Sequence, residues 1–210
     1  MSLPKPISTL HYITDQPELA ELACRAGIDW VQLRVKNHAY ADWKARAVDT
    51  LAICRAFGAR LIINDNVTLA GEIGADGVHV GLTDMSVADA RRLLGASMIV
   101  GGTANTLDDI RLHHEAGADY VGLGPYRFTT TKEKLSPVLG LVGYDRILTA
   151  CRHEDIALPI IAIGGLDVVD VPNLMQVGLH GIAVSSAISR DPAGQVPAFQ
   201  QALRTDLLIG

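Results

Sequence analysis

Several short stretches of this chain carry residues able to grip a multiply charged anion. In "VQLRVK" (31–36) the period-two alternation of an extended chain puts Gln32, Arg34 and Lys36 on one face and Val31, Leu33 and Val35 on the other. Burying an unpaired Arg and Lys costs on the order of several kcal/mol, so an inward face demands an anionic partner. That partner is either a ligand phosphate or a carboxylate, Asp65 or Asp84, in a structural ion pair. The two carboxylates follow successive apolar runs, and a pair of this kind suits magnesium, which takes one or two carboxylates, waters and substrate phosphate oxygens. "ND" and "TD" are also common turn and helix-capping pairs.

Farther along, "GLGPYRFTTTK" (122–132) ends an apolar run in hydroxyls and cations. Its polar part, with Arg127, Thr129, Thr131, Lys132 and Lys134, reads as a loop that closes over an anion, or else as a solvated connector. Alternation favours Thr129 and Thr131 over Thr130 as contacts. The late stretches "AIGG" (162–165) and "VSSAI" (184–188) offer backbone N–H groups and small hydroxyls at Gly165, Ser185 and Ser186, suited to a phosphate; a GG pair is equally an ordinary left-handed turn. His79 in "GVHVG" reads as a hydrogen-bonded core residue rather than an acid or base, and the pair His113–His114 lacks metal spacing. No GxSxG, HExxH or P-loop pattern occurs, which leaves nucleophilic hydrolysis, zinc proteolysis and Walker-type nucleotide binding without support.

The elements that must position these residues are legible as eight alternations of short Val/Ile-rich runs with amphipathic segments. The predicted strands are 9–14, 30–36, 60–65, 77–81, 98–104, 120–125, 159–165 and 181–187. The joins "AGIDWV", "IGADGV", "AGADYV" and "VGLHGI" each place a helix-ending Gly just before a strand. The pattern predicts one α/β domain over 1–210, a single (β/α)8 TIM barrel, with a doubly wound open sheet as the alternative. Either way ligands sit at the carboxyl ends of the strands, where Gln32, Arg34, Lys36, Asn64, Asp65, Asp84, Thr103, Gly165, Ser185 and Ser186 fall.

Composition narrows the function classes. Of 210 residues 49% are hydrophobic, and the net charge is −5, which argues against nucleic acid as a partner. No run approaches the ~18–20 apolar residues of a membrane span and no signal-peptide core is evident, so no membrane partner is expected. Cys24, Cys54 and Cys151 lack disulfide or zinc spacing, which suits a reducing cytoplasm.

Taken together the motifs resemble the thiamine phosphate synthase family nearly end to end: "QLRVK", "INDNVTLA", "GADGVHVG", "GADYVGLGP", "TTTK", "PVLGL", "AIGG" and "VSSAI" occur in the family's order. The resemblance implies a small-molecule enzyme that joins a pyrimidine methyl diphosphate to a thiazole phosphate, with Mg2+ as cofactor and a dissociative route through a pyrimidine cation. It implies that Gln32 contacts the pyrimidine, that Arg34, Lys36, Asn64 and Lys132 hold the diphosphate, with Thr103 near it in place of the family's usual serine, and that Asp65 and Asp84 bind magnesium. Arg34, Lys36 and Lys132 would act catalytically on the leaving group. Thr129, Thr131, Gly165, Ser185 and Ser186 would bind the thiazole phosphate. A homo-oligomer is compatible with all of this. Leu82, Asn105 and "YRF" depart from the family pattern without touching the anion or metal positions. A related tautomerase is expected to use a His where this chain has Asn105, and a catalytically silent phosphate-binding barrel would lack the metal carboxylates.

Overall fold

In the computed structural model, which describes residues 5–128 and 137–205, eight strands close into a parallel ring. They are β1 (Leu10–Thr14), β2 (Trp30–Leu33), β3 (Arg60–Asn64), β4 (Gly77–Val80), β5 (Ile99–Ala104), β6 (Tyr120–Leu123), β7 (Ile160–Ile163) and β8 (Gly181–Val184). Each pairs with the next, and β8 returns to β1 with Leu10 opposite Ile182 and Tyr12 opposite Val184. The open-sheet alternative is thereby excluded. Nine α-helices are present among the described residues: α1 (Pro17–Arg25), α2 (Tyr40–Phe57), α3 (Val67–Ile73), α4 (Val87–Leu94), α5 (Leu107–Glu115), α6 (Gly140–His153), α7 (Val171–Gln176), the short α8 (Ser186–Arg190) and α9 (Pro192–Thr205).

The repeated join has a physical explanation. Gly27, Gly74, Gly117 and Gly178 each take positive φ after a helix, a conformation that costs glycine little. The Asp that follows in two of these joins reaches back across the ladder. Asp76 accepts the backbone N–H of Leu61 and Asp119 accepts that of Val100, both at 2.8 Å. Asp119 is also clamped by Lys5 at 2.9 Å and Arg91 at 2.5 Å, which ties off the amino-terminal end of the barrel.

Two apolar regions follow from the alternation of each strand. Outward side chains such as Val31, Leu61, Val78, Val100 and Val121 meet helix residues such as Cys54, Leu69, Ile110 and Phe199 in one buried cluster. Inward, Trp30, Ile62, Ile99, Tyr120, Ile161 and Ala183 fill the barrel. Each such Leu, Ile, Val or Phe contributes about 1.5–3 kcal/mol by leaving water. Above the inner plug, buried polar side chains take over: Gln32, Asn64, His79 and Thr103.

The strands are shorter than the sequence periodicity predicts. β2 ends at Leu33, although the Arg34 N–H still bonds the Thr14 carbonyl at 2.8 Å. Arg34 and Lys36 therefore stand beyond the ladder, on the rim.

Candidate active site

Gln32, Arg34, Asn64, Thr103, Gly165, Ser185 and Ser186 line a single cavity at the carboxyl ends of the strands, together with His11, His79, Tyr120 and Ile163. Residues from β2, β3, β5, β7 and β8 are thus brought together as expected for a parallel barrel. Lys36, two residues past Arg34, is exposed and forms no salt bridge among the described residues. Thr129, Thr131 and Lys132 lie outside the described residues.

Buried polar groups in the wall are satisfied in pairs. Gln32 Nε2 donates to Asn64 Oδ1 at 2.6 Å, which leaves the Gln32 carbonyl oxygen for a ligand. His79 is hydrogen-bonded at both ring nitrogens, to Tyr120 Oη at 3.1 Å and Thr103 Oγ1 at 3.0 Å, as the core reading of this residue expects.

Asp65 and Asp84 form a carboxylate pair that is not part of the cavity lining, although Asp65 interacts with the lining residues Arg34 and Asn64. Asp65 directly follows Asn64, takes a left-handed backbone (φ 65°) and donates its N–H to the His79 carbonyl at 2.7 Å. It is not the cap of α3; that role belongs to Asn66, whose Oδ1 accepts the Leu69 N–H at 2.9 Å. Asp84 does make a turn contact, accepting the Gly81 N–H at 2.8 Å. A Cβ at Gly81 would lie 2.6 Å from Asp84 Oδ2 and 3.8 Å from Asp65 Oδ1, so the glycine keeps this small cradle open. Burial and the adjoining Asp84 carboxyl push Asp65 up to about 6, against the pull of the Arg34 guanidinium and the Asn64 side chain. Two carboxylates crowded to this degree favour either a shared proton or a cation. No cluster of three or more His, Cys, Asp or Glu suited to a metal exists among the described residues. A hard divalent ion held by this pair would take its other ligands from water or a bound anion.

The β7 and β8 ends have the opposite character. Gly164 and Gly165 take φ of 94° and 72°, and a Cβ on Gly165 would fall 2.8 Å from Arg127 Cγ. Both its backbone and its crowding demand glycine. Arg127 differs from its expected place among the anion contacts. Its guanidinium donates to both carboxylate oxygens of Asp170, at 2.8 and 2.5 Å, and to the Gly165 carbonyl at 3.0 Å. It fastens the segment after β6 to the segment after β7. Asn105 is committed too, donating to the Gly124 carbonyl.

Sequence reasoning missed His11, Tyr120 and His113. Tyr120 and His11 meet edge to face at 5.3 Å, and His11 stacks on Trp30 at 4.2 Å, forming the cavity floor. His113 reaches from α5 to the Thr103 carbonyl at 2.8 Å. A signal for it existed: Ile110 and His113 share the inward stripe of α5, and Gly102 opposite has no side chain to exclude an imidazole.

Fold and rim together define a (β/α)8-barrel protein with a polar, cation-bearing cavity at the carboxyl ends of its strands. The profile of the family described as "Thiamine monophosphate synthase" matches residues 6–188. The thiamine-phosphate synthase of Bacteroides fragilis is 47% identical over 190 residues, covering 88% of this chain and 93% of that protein. That of Flavobacterium johnsoniae is 49% identical over 183 residues, covering 87% and 86%. The solved thiamine phosphate pyrophosphorylase from Pyrococcus furiosus superposes with a TM-score of 0.84 at 26% identity, covering 95% of this chain and 96% of that one. The chain belongs to the thiamine monophosphate synthase family.

Proposed function

We propose that this protein joins 4-amino-2-methyl-5-(diphosphooxymethyl)pyrimidine to 4-methyl-5-(2-phosphooxyethyl)thiazole, giving thiamine phosphate and diphosphate. The observation that carries this reading is the convergence of Gln32, Arg34, Asn64, Thr103, Gly165, Ser185 and Ser186 on one cavity, with Asp65 of the Asp65–Asp84 pair interacting with its lining residues Arg34 and Asn64. One end of that cavity offers charge for a diphosphate, the other backbone and hydroxyl groups for a phosphate.

In this reading Gln32 orients the pyrimidine, and Arg34, Lys36, Asn64, Thr103 and Lys132 hold the diphosphate. Thr129, Thr131, Gly165, Ser185 and Ser186 hold the thiazole phosphate. Asp65 and Asp84 would hold Mg2+, which when bound neutralises charge on the diphosphate oxygens. The methylene carbon–oxygen bond breaks with its electron pair leaving on diphosphate. The resulting cation is stabilised by the ring's amino group, and the thiazole nitrogen lone pair closes the new carbon–nitrogen bond. Arg34, Lys36 and Lys132 stabilise the departing charge, a preorganised electrostatic effect on the order of several kcal/mol, while the two anion sites align the reacting atoms. No proton leaves either reacting atom, and no general base is needed.

Among the described residues no helix is long and apolar enough to cross a membrane. Cys24, Cys54 and Cys151 are free and buried, which suits a cytoplasmic enzyme.

The purified chain, given both substrates and magnesium, is expected to form thiamine phosphate and diphosphate in equal amounts. Proton exchange on the thiazole without coupling would support the tautomerase instead, and binding without turnover a silent barrel. Asn105, tied to Gly124, disfavours the first, and the paired carboxylates disfavour the second.

A further inference from the structure

Three side chains from different strands form a file inside the barrel: Tyr120 on β6, His79 on β4 and Thr103 on β5. Tyr120 Oη lies 3.1 Å from His79 Nδ1, and His79 Nε2 lies 3.0 Å from Thr103 Oγ1. Their exposures are 1%, 6% and 5%, and all three border the cavity. Glycines make room for them: a Cβ on Gly101 would strike the Tyr120 ring at 2.3 Å, and one on Gly122 would sit 3.2 Å from His79 Cε1.

The hydrogens in this file can be assigned by elimination. Burial pushes the Tyr120 phenol far above its ordinary pKa, so it keeps its proton. Its one hydrogen-bond partner among the described residues is His79 Nδ1. An imidazole carrying hydrogen on Nδ1, alone or on both nitrogens, would strand the phenol hydrogen in the barrel interior without an acceptor. Tyr120 therefore donates to Nδ1, the ring carries its hydrogen on Nε2, and Nε2–H donates to Thr103 Oγ1. The threonine oxygen is committed as an acceptor on that side, and its own hydrogen is left for the cavity. From the helix layer His113 fixes the other end of the same residue by donating to its carbonyl at 2.8 Å.

We infer that Tyr120 and His79 are positioning residues that make Thr103 an obligate hydrogen-bond donor to the anionic group bound in the cavity. The inference deepens the reading of Thr103 as a diphosphate contact and rests on it. A freely rotating threonine hydroxyl can turn its hydrogen toward either neighbour; this one cannot give it to His79 and must place it outward, while its second lone pair stays available. A diphosphate oxygen accepts that hydrogen, whereas a ligand presenting only an N–H or O–H at that point leaves it without an acceptor and is disfavoured.

Two measurements test it. In protein labelled with 15N-histidine, the His79 ring is expected as the Nε2–H tautomer, and Tyr120→Phe is expected to shift it toward Nδ1–H, because Nδ1 loses its donor and Thr103 can then donate to Nε2. A wild-type Nδ1–H ring, or a tautomer unmoved by Tyr120→Phe, overturns the relay whatever the protein's activity. In kcat/KM for the pyrimidine diphosphate substrate, Thr103→Val is expected to cost about 10-fold in the wild-type background and less than about 3-fold in Tyr120→Phe. Equal costs in both backgrounds overturn the coupling. No cost of Thr103→Val with the Nε2–H tautomer present overturns the diphosphate contact while leaving the relay standing. Should Tyr120→Phe not fold, His79→Gln, whose amide N–H can still donate to Thr103, is expected to retain most activity and His79→Leu to lose it; equal loss in the two overturns the inference.

Discussion

Arg127 and Asp170, 43 residues apart, form a two-pronged ion pair across the β6 and β7 ends of the barrel, with N–O distances of 2.8 and 2.5 Å. The carboxylate side chain is 6% exposed and the guanidinium 46%. Removing the arginine leaves a nearly buried carboxylate unpaired. Arg127→Met is expected to destabilise the fold by about 2 kcal/mol, below the ~3–5 kcal/mol of a fully buried pair because water already screens the arginine. Urea denaturation checks this. Adding Asp170→Asn, which removes the orphaned charge and keeps an acceptor for the Asp167 N–H, is expected to restore part of the loss.

The carboxylate pair gives a prediction in pH. Asp65 has its folded pKa raised from 3.8 to about 6 by burial and Asp84. Between those values the folded chain binds more protons than the unfolded one, so this group's contribution to stability falls as pH rises through the window. Asp84→Asn removes the neighbouring charge and is expected to bring Asp65 back toward the ordinary carboxylate range, read from the 13C shift of its carboxyl carbon. Because metal ligation requires the ionised pair, calorimetric Mg2+ affinity is expected to weaken between pH 7.5 and 5.

His11 acts in the opposite direction. Burial lowers its pKa well below 6.5, partly offset by its contact with the Ser8 carbonyl at 2.9 Å. The unfolded chain takes up a proton near pH 6.5 that the folded chain refuses, so stability is lost as pH falls below that point. His11→Phe, which keeps an aromatic ring against Trp30, is expected to show a smaller drop in urea midpoint between pH 7 and 5 than the wild type.

Asp65→Ala and Lys36→Ala are expected to lower kcat by about 10²-fold or more while circular dichroism and the urea midpoint stay close to wild type. Unfolding of both variants would instead assign them to a structural ion pair.

Gly101→Ala places a methyl group 2.3 Å from the Tyr120 ring, which is 1% exposed and must shift to admit it. A loss of about 1–3 kcal/mol is expected, and for a chain of this size each kcal/mol lowers the melting temperature by about 2–4 °C.

How much of this was legible in the sequence depends on the range of the force involved. The eight strands show because each is a local apolar run, six of them (β2 to β6 and β8) preceded by a turn glycine of positive φ, and the rim positions follow from where those runs stop. The expected strand 30–36 overruns β2 because alternation of residue types continues in the sequence after the ladder has ended at Leu33. The commitment of Arg127 to Asp170 and the Tyr120–His79–Thr103 file were not legible. They join residues from separate βα units, and nothing in the local pattern of one unit states what another will place beside it. Asp65 fell between: its type suggested a ligand or a cap, and only the backbone shows that Asn66 takes the cap.

Closure of the ring has a consequence for how such a protein can change. A strand hydrogen-bonded on both sides cannot be replaced without disturbing two neighbours, so β1 to β8 are conservative by geometry. Residues just past a strand, such as Arg34 and Asp65, are tied to that scaffold through their backbone N–H groups, which leaves their side chains outside the ladder. New chemistry can therefore be tried on the lip of the vessel while its staves stay in place.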